Sequence, residues 1–332
     1  MNSGGEKMVT KERINIYKKW FENMSFFSFN SFILDEIENL WNLSNYIYDK
    51  YIDVIKDINF QPHNFSYVSL EENISLAQQF LDKHNINVSI KKLIANGNII
   101  FKKIDDKTAK SKNGTSYYDK DNKRVIEIYL NNNVIDSCIL IHEIMHFLNQ
   151  PESKRDFVSD LLTESLSYGM EFIYIEELKQ IKYSNDLNIF MKFVVPTILK
   201  CMDKVYYCYK LILLYKKEKD ISLEAYSKIF QDNNFEKTID YFEKYVKEHN
   251  FIVEDTWNVI GFPIAIYILE TYKKDSSIIK KLMKYNDAIN EKSYQECLSI
   301  IGLSSDNDFI DKIKSSTNSF LESLCNQKVK KL

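Results

Sequence analysis

Two histidines four residues apart, with a glutamate beside the first, form the stretch of this sequence best suited to chemistry: His142-Glu143-Ile144-Met145-His146. On a helix both imidazoles fall on one face, one turn apart, and Glu143 is turned about 100° from His142. The two rings can hold a divalent ion such as zinc at about 2.0–2.1 Å, and the carboxylate can act as base toward a water at the ion's open position. A third protein ligand is needed, and a second helical stretch, Leu161-Leu-Thr-Glu164-Ser-Leu-Ser-Tyr, offers Glu164, which is 18 positions after His146. That spacing leaves room for the rest of the first helix, a turn at Asn149-Gln-Pro-Glu152 and about two turns of the next helix, so an antiparallel pair would bring Glu164 to the ion. Glu171, seven residues further on the same face, is too far along the axis to share the ion and suits acceptance of an imidazole N–H. Asp160, one turn before Glu164, is the competing ligand.

The elements that must position these residues follow from pattern. Val125-Ile-Glu-Ile-Tyr-Leu130 has the composition of a strand, Asn131-Asn-Asn133 a turn able to cap a helix beginning near Val134, and Pro151 an end to that helix. Ile99 to Ile104 predicts a short strand, residues 105–113 a polar loop, and Gly114-Thr-Ser-Tyr-Tyr118 a return toward the Val125 strand, giving a sheet of two to four strands. Ser69-Leu-Glu-Glu72 predicts a capping box opening a helix through Leu81. Residues 12–57 have helical spacing. Beyond Asp136 the chain predicts helices near 156–181, 187–216, 223–230, 235–249 and 253–274, with Gly261-Phe262-Pro263 kinking or restarting the last of these.

Composition narrows the class. The 332 residues are 45% hydrophobic, enough for a sizeable core, and only seven glycines and four prolines argue for long helices over a turn-rich β fold. The fold class expected is mostly α with a small β-sheet beside the HExxH helix. A net charge of −3 with scattered lysines marks no nucleic-acid surface. Five cysteines without a CxxC pair indicate reduced core thiols, Cys138 among them. No apolar run approaches about 18 residues and the first twenty lack a signal-peptide core, so no membrane partner and a cytoplasmic location are expected. His63 and His84 stand in turn-like surroundings and are expected at the surface. His249, at the end of a predicted helix, either caps that helix or donates to a reaction's oxyanion.

Taken in order, Ser69 to Glu72, Ile99 to Asp105, Gly114 to Tyr117, Arg124 to Leu130 running into His142–His146, Glu164-x-x-Ser167-x-x-x-Glu171, and Trp257 to Lys274 resemble the sequence blocks of the oligopeptidase family of thimet oligopeptidase and oligoendopeptidase F. The resemblance implies a zincin-like metallopeptidase binding one Zn2+ through His142, His146 and Glu164, with Glu143 as catalytic base, Glu171 supporting a ligand, and the Val125 to Leu130 strand pairing with a peptide substrate. It implies a short helical module at 1–65, a mixed α/β part at 66–135 carrying that strand, and a helical catalytic part at 136–330, as two lobes around a cleft. Three departures stand out. The spacer from His146 to Glu164 is short for the family. Asp255-Thr-Trp-Asn258 replaces aromatic residues that include tyrosines contacting the transition state, leaving His249, Tyr245 or Tyr206, Tyr207 and Tyr209 as substitutes. The N-terminal lobe is reduced. The activity implied is hydrolysis of oligopeptides; the alternatives are a processing protease for one protein or precursor peptide, and a catalytically weak peptide-binding relative.

Overall fold

The structure, a computed structural model, describes residues 64–104, 113–149, 157–231, 234–240, 243, 253–303 and 308–326. The chain divides into two compact units, Met1–Tyr48 with Ile198–Val259, and Asp49–Thr197 with Ile260–Leu332. Within the second unit the sheet and the HExxH helix pack against each other. In order, the elements are α1 (Leu70–Lys83), α2 (Ile90–Ala95), β1 (Ile99–Lys103), β2 (Gly114–Tyr118), β3 (Arg124–Leu130), α3 (Ile135–Leu148), α4 (Phe157–Lys179), α5 (Ser184–Glu218), α6 (Leu223–Phe230), α7 (Val253–Lys274), α8 (Ile278–Ala288), α9 (Tyr294–Ile300) and α10 (Asp308–Asn326). The protein is mostly helical with one small mixed sheet, as composition predicts. Among the described residues no helix is long and apolar enough to cross a membrane.

The sheet has the order β1-β3-β2, with β1 parallel and β2 antiparallel to β3. This corrects the expectation that Val125 to Leu130 is free to pair with a peptide. As the central strand it spends its backbone on both neighbours, Ile126 N–H donating to Asn98 O on the β1 side and Tyr129 N–H to Asn113 O on the β2 side. The consecutive buried residues Val125, Ile126, Glu127 and Ile128 fit a strand covered on both faces. Because Tyr129 bonds Asn113, the facing pair Gly114 and Ile128 is a non-hydrogen-bonded one, and by strand alternation Gly114, Ser116 and Tyr118 turn their N–H and C=O groups outward from the sheet. Among the described residues β2 is therefore an edge.

Helix α3 lies against this sheet. Its residues Ile135, Cys138, Ile139, Leu140, Ile141, Ile144 and Met145 are all buried, the pattern of a helix enclosed on every side. Each such aliphatic side chain contributes roughly 1.5–3 kcal/mol by leaving water. Its start is fixed by side chains: Asn133 Oδ1 accepts from Ile135 N–H (2.9 Å), and the Asp136 carboxylate reaches back to the N–H groups of Asn131 (2.9 Å) and Asn132 (2.8 Å). Its last turn is tied to β3 by Arg124, which donates to Phe147 O (3.3 Å). Helix α7 continues through Pro263, so the helix does not restart there. Phe262, Ile264, Ala265 and Ile266 there are buried, and that packing offsets the missing backbone bond.

Helix α1 begins with only half of the predicted capping box. Ser69 Oγ accepts from Glu72 N–H (3.1 Å), but the Glu72 carboxylate is drawn away to the Tyr183 hydroxyl and Lys182. At the other end of α1, His84 is not a surface histidine. Its Nε2 lies 2.8 Å from Glu177 Oε1 of α4, and the same carboxylate pairs with Lys83 Nζ (2.9 Å) and accepts the Tyr272 hydroxyl of α7. In the other unit, Ser222 caps α6, whose Tyr226 ring packs on Phe230 and Phe235.

Glu177 thus clamps α1, α4 and α7. Burial opposes its ionisation, but His84, Tyr272 and Lys83 outweigh this and hold the carboxyl at about 2. A depressed carboxyl stabilises the fold at pH values above its ordinary range near 4.5, and that contribution is lost as pH falls from there toward about 2. Glu177→Gln is expected to cost about 1–2 kcal/mol at pH 7, allowing for solvent screening of a half-buried group, and progressively less as pH falls through about 2. Thermal melts of both proteins across that range check it; a pH-independent difference would contradict it.

Candidate metal centre

Helices α3 and α4 form the centre. Thr163 lies by Asn149, Glu164 by His146 and His142, and Glu171 by His142, so contacts descend α3 as they climb α4 and the helices are antiparallel. Asn149, the C-cap of α3, anchors the near end: its Nδ2 donates to Asn286 O (2.7 Å), while Thr163 Oγ1 donates to Ser159 O (2.7 Å) and lies 3.1 Å from Asn149 Oδ1. Glu164 follows directly on that anchored threonine.

The side chains of His142, His146 and Glu164 converge. Nε2 of His142 and of His146 are 3.0 Å apart, and the Glu164 oxygens lie 3.6 Å and 3.4 Å from them. One ligand atom from each of the three lies within 4.8 Å of the others. Two donors bound tetrahedrally to zinc at 2.0–2.1 Å stand about 3.3–3.4 Å apart, so these separations and the two-imidazole, one-carboxylate chemistry suit such an ion. His142 Nδ1 is 3.0 Å from Glu171 Oε2. Its N–H therefore points at a carboxylate, leaving Nε2 to face Glu164.

Electrostatics follow from burial and opposite charge. Burial disfavours the charged form of Glu164, but the His146 and His142 rings outweigh it and hold the carboxyl well below the usual carboxylate range. Burial likewise disfavours a charged His142, yet Glu164 and Glu171 raise it well above an ordinary histidine. Glu143 is buried and its carboxyl is raised, chiefly by burial. It leaves the ligand face for the sheet, where β2 passes so closely that a Cβ added at Gly114 would stand 3.0 Å from Glu143 Oε1. The Tyr168 ring, one turn after Glu164, meets His142 edge-on with centroids 4.7 Å apart.

The structure brings together His142, His146 and Glu164, sets Glu171 behind His142, and leaves Asp160 outside the cluster. Cys138 is buried, its Sγ 3.6 Å from Val134 O. His249, His63 and Tyr245 lie outside the described residues, as do the side chains of Tyr206, Tyr207 and Tyr209. Sequence reasoning missed Gly114 and Tyr168. For Gly114 a signal existed, since glycine inside a strand pattern marks close approach of a neighbouring group; for Tyr168 it was the one-turn spacing from Glu164.

No family model and no curated protein matches the sequence. Among solved structures, the fold is similar to one described as an oligoendopeptidase F from Bacillus anthracis str. Ames, with TM-score 0.53 and 12% identity over 95% of this chain and 56% of that one. It is also similar to PZ peptidase A with an inhibitor, with TM-score 0.56 and 10% identity over 98% of this chain and 60% of that one. The chain spans under two thirds of the length of both. At these identities the likeness is one of fold: a mostly helical architecture shared with structures named as peptidases.

Proposed function

We propose that this chain is a zinc-dependent metallopeptidase that hydrolyses peptide bonds of oligopeptides. The observation that carries the reading is the convergence of His142, His146 and Glu164 donor atoms at zinc-like separations, with buried Glu143 beside them. Bound there, zinc would acidify a water and polarise a carbonyl. Glu171 accepts the Nδ1 proton of His142, fixing the tautomer whose Nε2 lone pair serves as ligand. Glu143 takes the proton of the attacking water and delivers it to the leaving amine nitrogen. Its raised pKa suits a group that must carry a proton between those transfers.

The substrate strand in this reading is β2 instead of β3. A peptide adding to its edge would pair with the outward N–H and C=O groups of Gly114 and Ser116, and the closeness of Gly114 to Glu143 brings its carbonyls to the base.

Metal analysis is expected to find one zinc per chain, and a peptide library followed by mass spectrometry to find cut products. Glu143→Gln should keep the ion and lose roughly 10²–10⁴-fold in turnover; unchanged turnover refutes its role. Glu171→Ala should weaken zinc binding about 10–100-fold in chelator competition. Ser116→Pro removes one outward N–H from an edge strand, where proline is tolerated, and should raise KM while leaving kcat and zinc content in place. An unaltered KM would exclude this edge as the peptide site.

A further inference from the structure

We propose that Gly114 and Gly261 are positioning residues: the absence of a Cβ at each sets where the carboxylates of Glu143 and Glu164 stand. The inference rests on the zinc peptidase reading and deepens it. Two other glycines, Gly97 (φ 66°) and Gly302 (φ 87°), occupy left-handed turns that favour glycine for backbone reasons. Gly114 and Gly261 do not have positive φ. Gly114 opens a strand, and Gly261 lies inside a helix, where glycine costs up to about 1 kcal/mol. Space, not backbone conformation, accounts for them.

At Gly114 a Cβ would meet Ile139 Cγ2 at 2.6 Å and both Cγ and Oε1 of Glu143 at 3.0 Å. Ile139 is buried on α3, one turn before Glu143, so its branch has little room to retreat and the glutamate would be displaced with it. At Gly261 a Cβ would stand 3.0 Å from the backbone N of Ser165 and 3.4 Å from C and Cβ of Glu164. A backbone atom cannot swing aside as the end of a side chain does. Relief there requires α4 and α7 to shift relative to each other, and any shift of α4 displaces Glu164 with respect to the two imidazoles. Gly169 is the internal comparison: it also lies between α4 and α7, and its Cβ would meet Ile268 at 2.9 Å, but none of the atoms it would meet belongs to the site.

The test uses the full chain, with zinc affinity measured by chelator competition, thermal stability, and kcat and KM on a peptide that the wild type cleaves. Gly114→Ala is expected to keep zinc affinity and KM and to lose kcat by about tenfold or more, since sub-ångström misplacement of a base is costly. Gly261→Ala is expected to weaken zinc affinity by about tenfold, the scale on which disturbed ligand support acts. Gly169→Ala is expected to lower the melting temperature alone. Wild-type kcat in Gly114→Ala, wild-type zinc affinity in Gly261→Ala, or equal loss of zinc affinity in Gly169→Ala would each overturn the proposal. Should Gly114→Ala not fold, the double variant Gly114→Ala/Ile139→Ala removes the tightest neighbour while leaving the Cβ against Glu143; kcat is expected to stay low, and its return to the wild-type value overturns the assignment. A wild type that binds zinc in no condition sinks the peptidase reading itself, a result separate from any glycine variant.

Discussion

One imidazole held by carboxylates at both nitrogens is the constraint on which the described site depends. His142 faces Glu171 through Nδ1 and Glu164 through Nε2, and those glutamates are two turns apart on one helix. The geometry is met only when α3 and α4 run antiparallel at close range with their rotation about their own axes fixed. The packing supplies that rotation: α3 is apolar on nearly every side and enclosed by sheet and helices, while Asp136 and Asn133 at its start and Asn149 at its end stop it sliding. Polar groups at the two ends thus set the register, and apolar burial between them supplies the energy.

Much of this was legible because it is periodic and local. The i, i+4 histidines and the seven-residue step from Glu164 to Glu171 place residues on helix faces by arithmetic alone. The scarcity of glycine and proline announced long helices. What escaped the sequence depends on contacts distant in the chain. His84 looked like a turn residue because its partner Glu177 lies 93 positions away. The Ser69 box looked complete because nothing local reveals that Tyr183 captures Glu72. The place of β3 in the sheet was misjudged although its uninterrupted buried run, Val125 to Ile128, carried the signal of a strand covered on both faces.

Asparagine shares the left-handed turns of the backbone with glycine. Asn85, Asn122 and Asn132 adopt left-handed conformations at turns (φ 56°, 58° and 57°), a role that glycine usually fills. Gly114, Gly169 and Gly261 instead sit where an added Cβ would meet a neighbouring element at 2.6–3.0 Å. The region around the candidate site is accordingly drawn tight by absences as much as by contacts, which is the close packing expected of a rigid interior.

The outward backbone groups of β2 recur at every second residue, at Gly114, Ser116 and Tyr118. An extended chain laid along such a rail locks only at alternate positions, because a shift of a single residue turns each of its side chains to the opposite face and breaks every bond to the rail. In the reading that seats a peptide on this edge, the register of the bound chain is therefore quantised in steps of two residues.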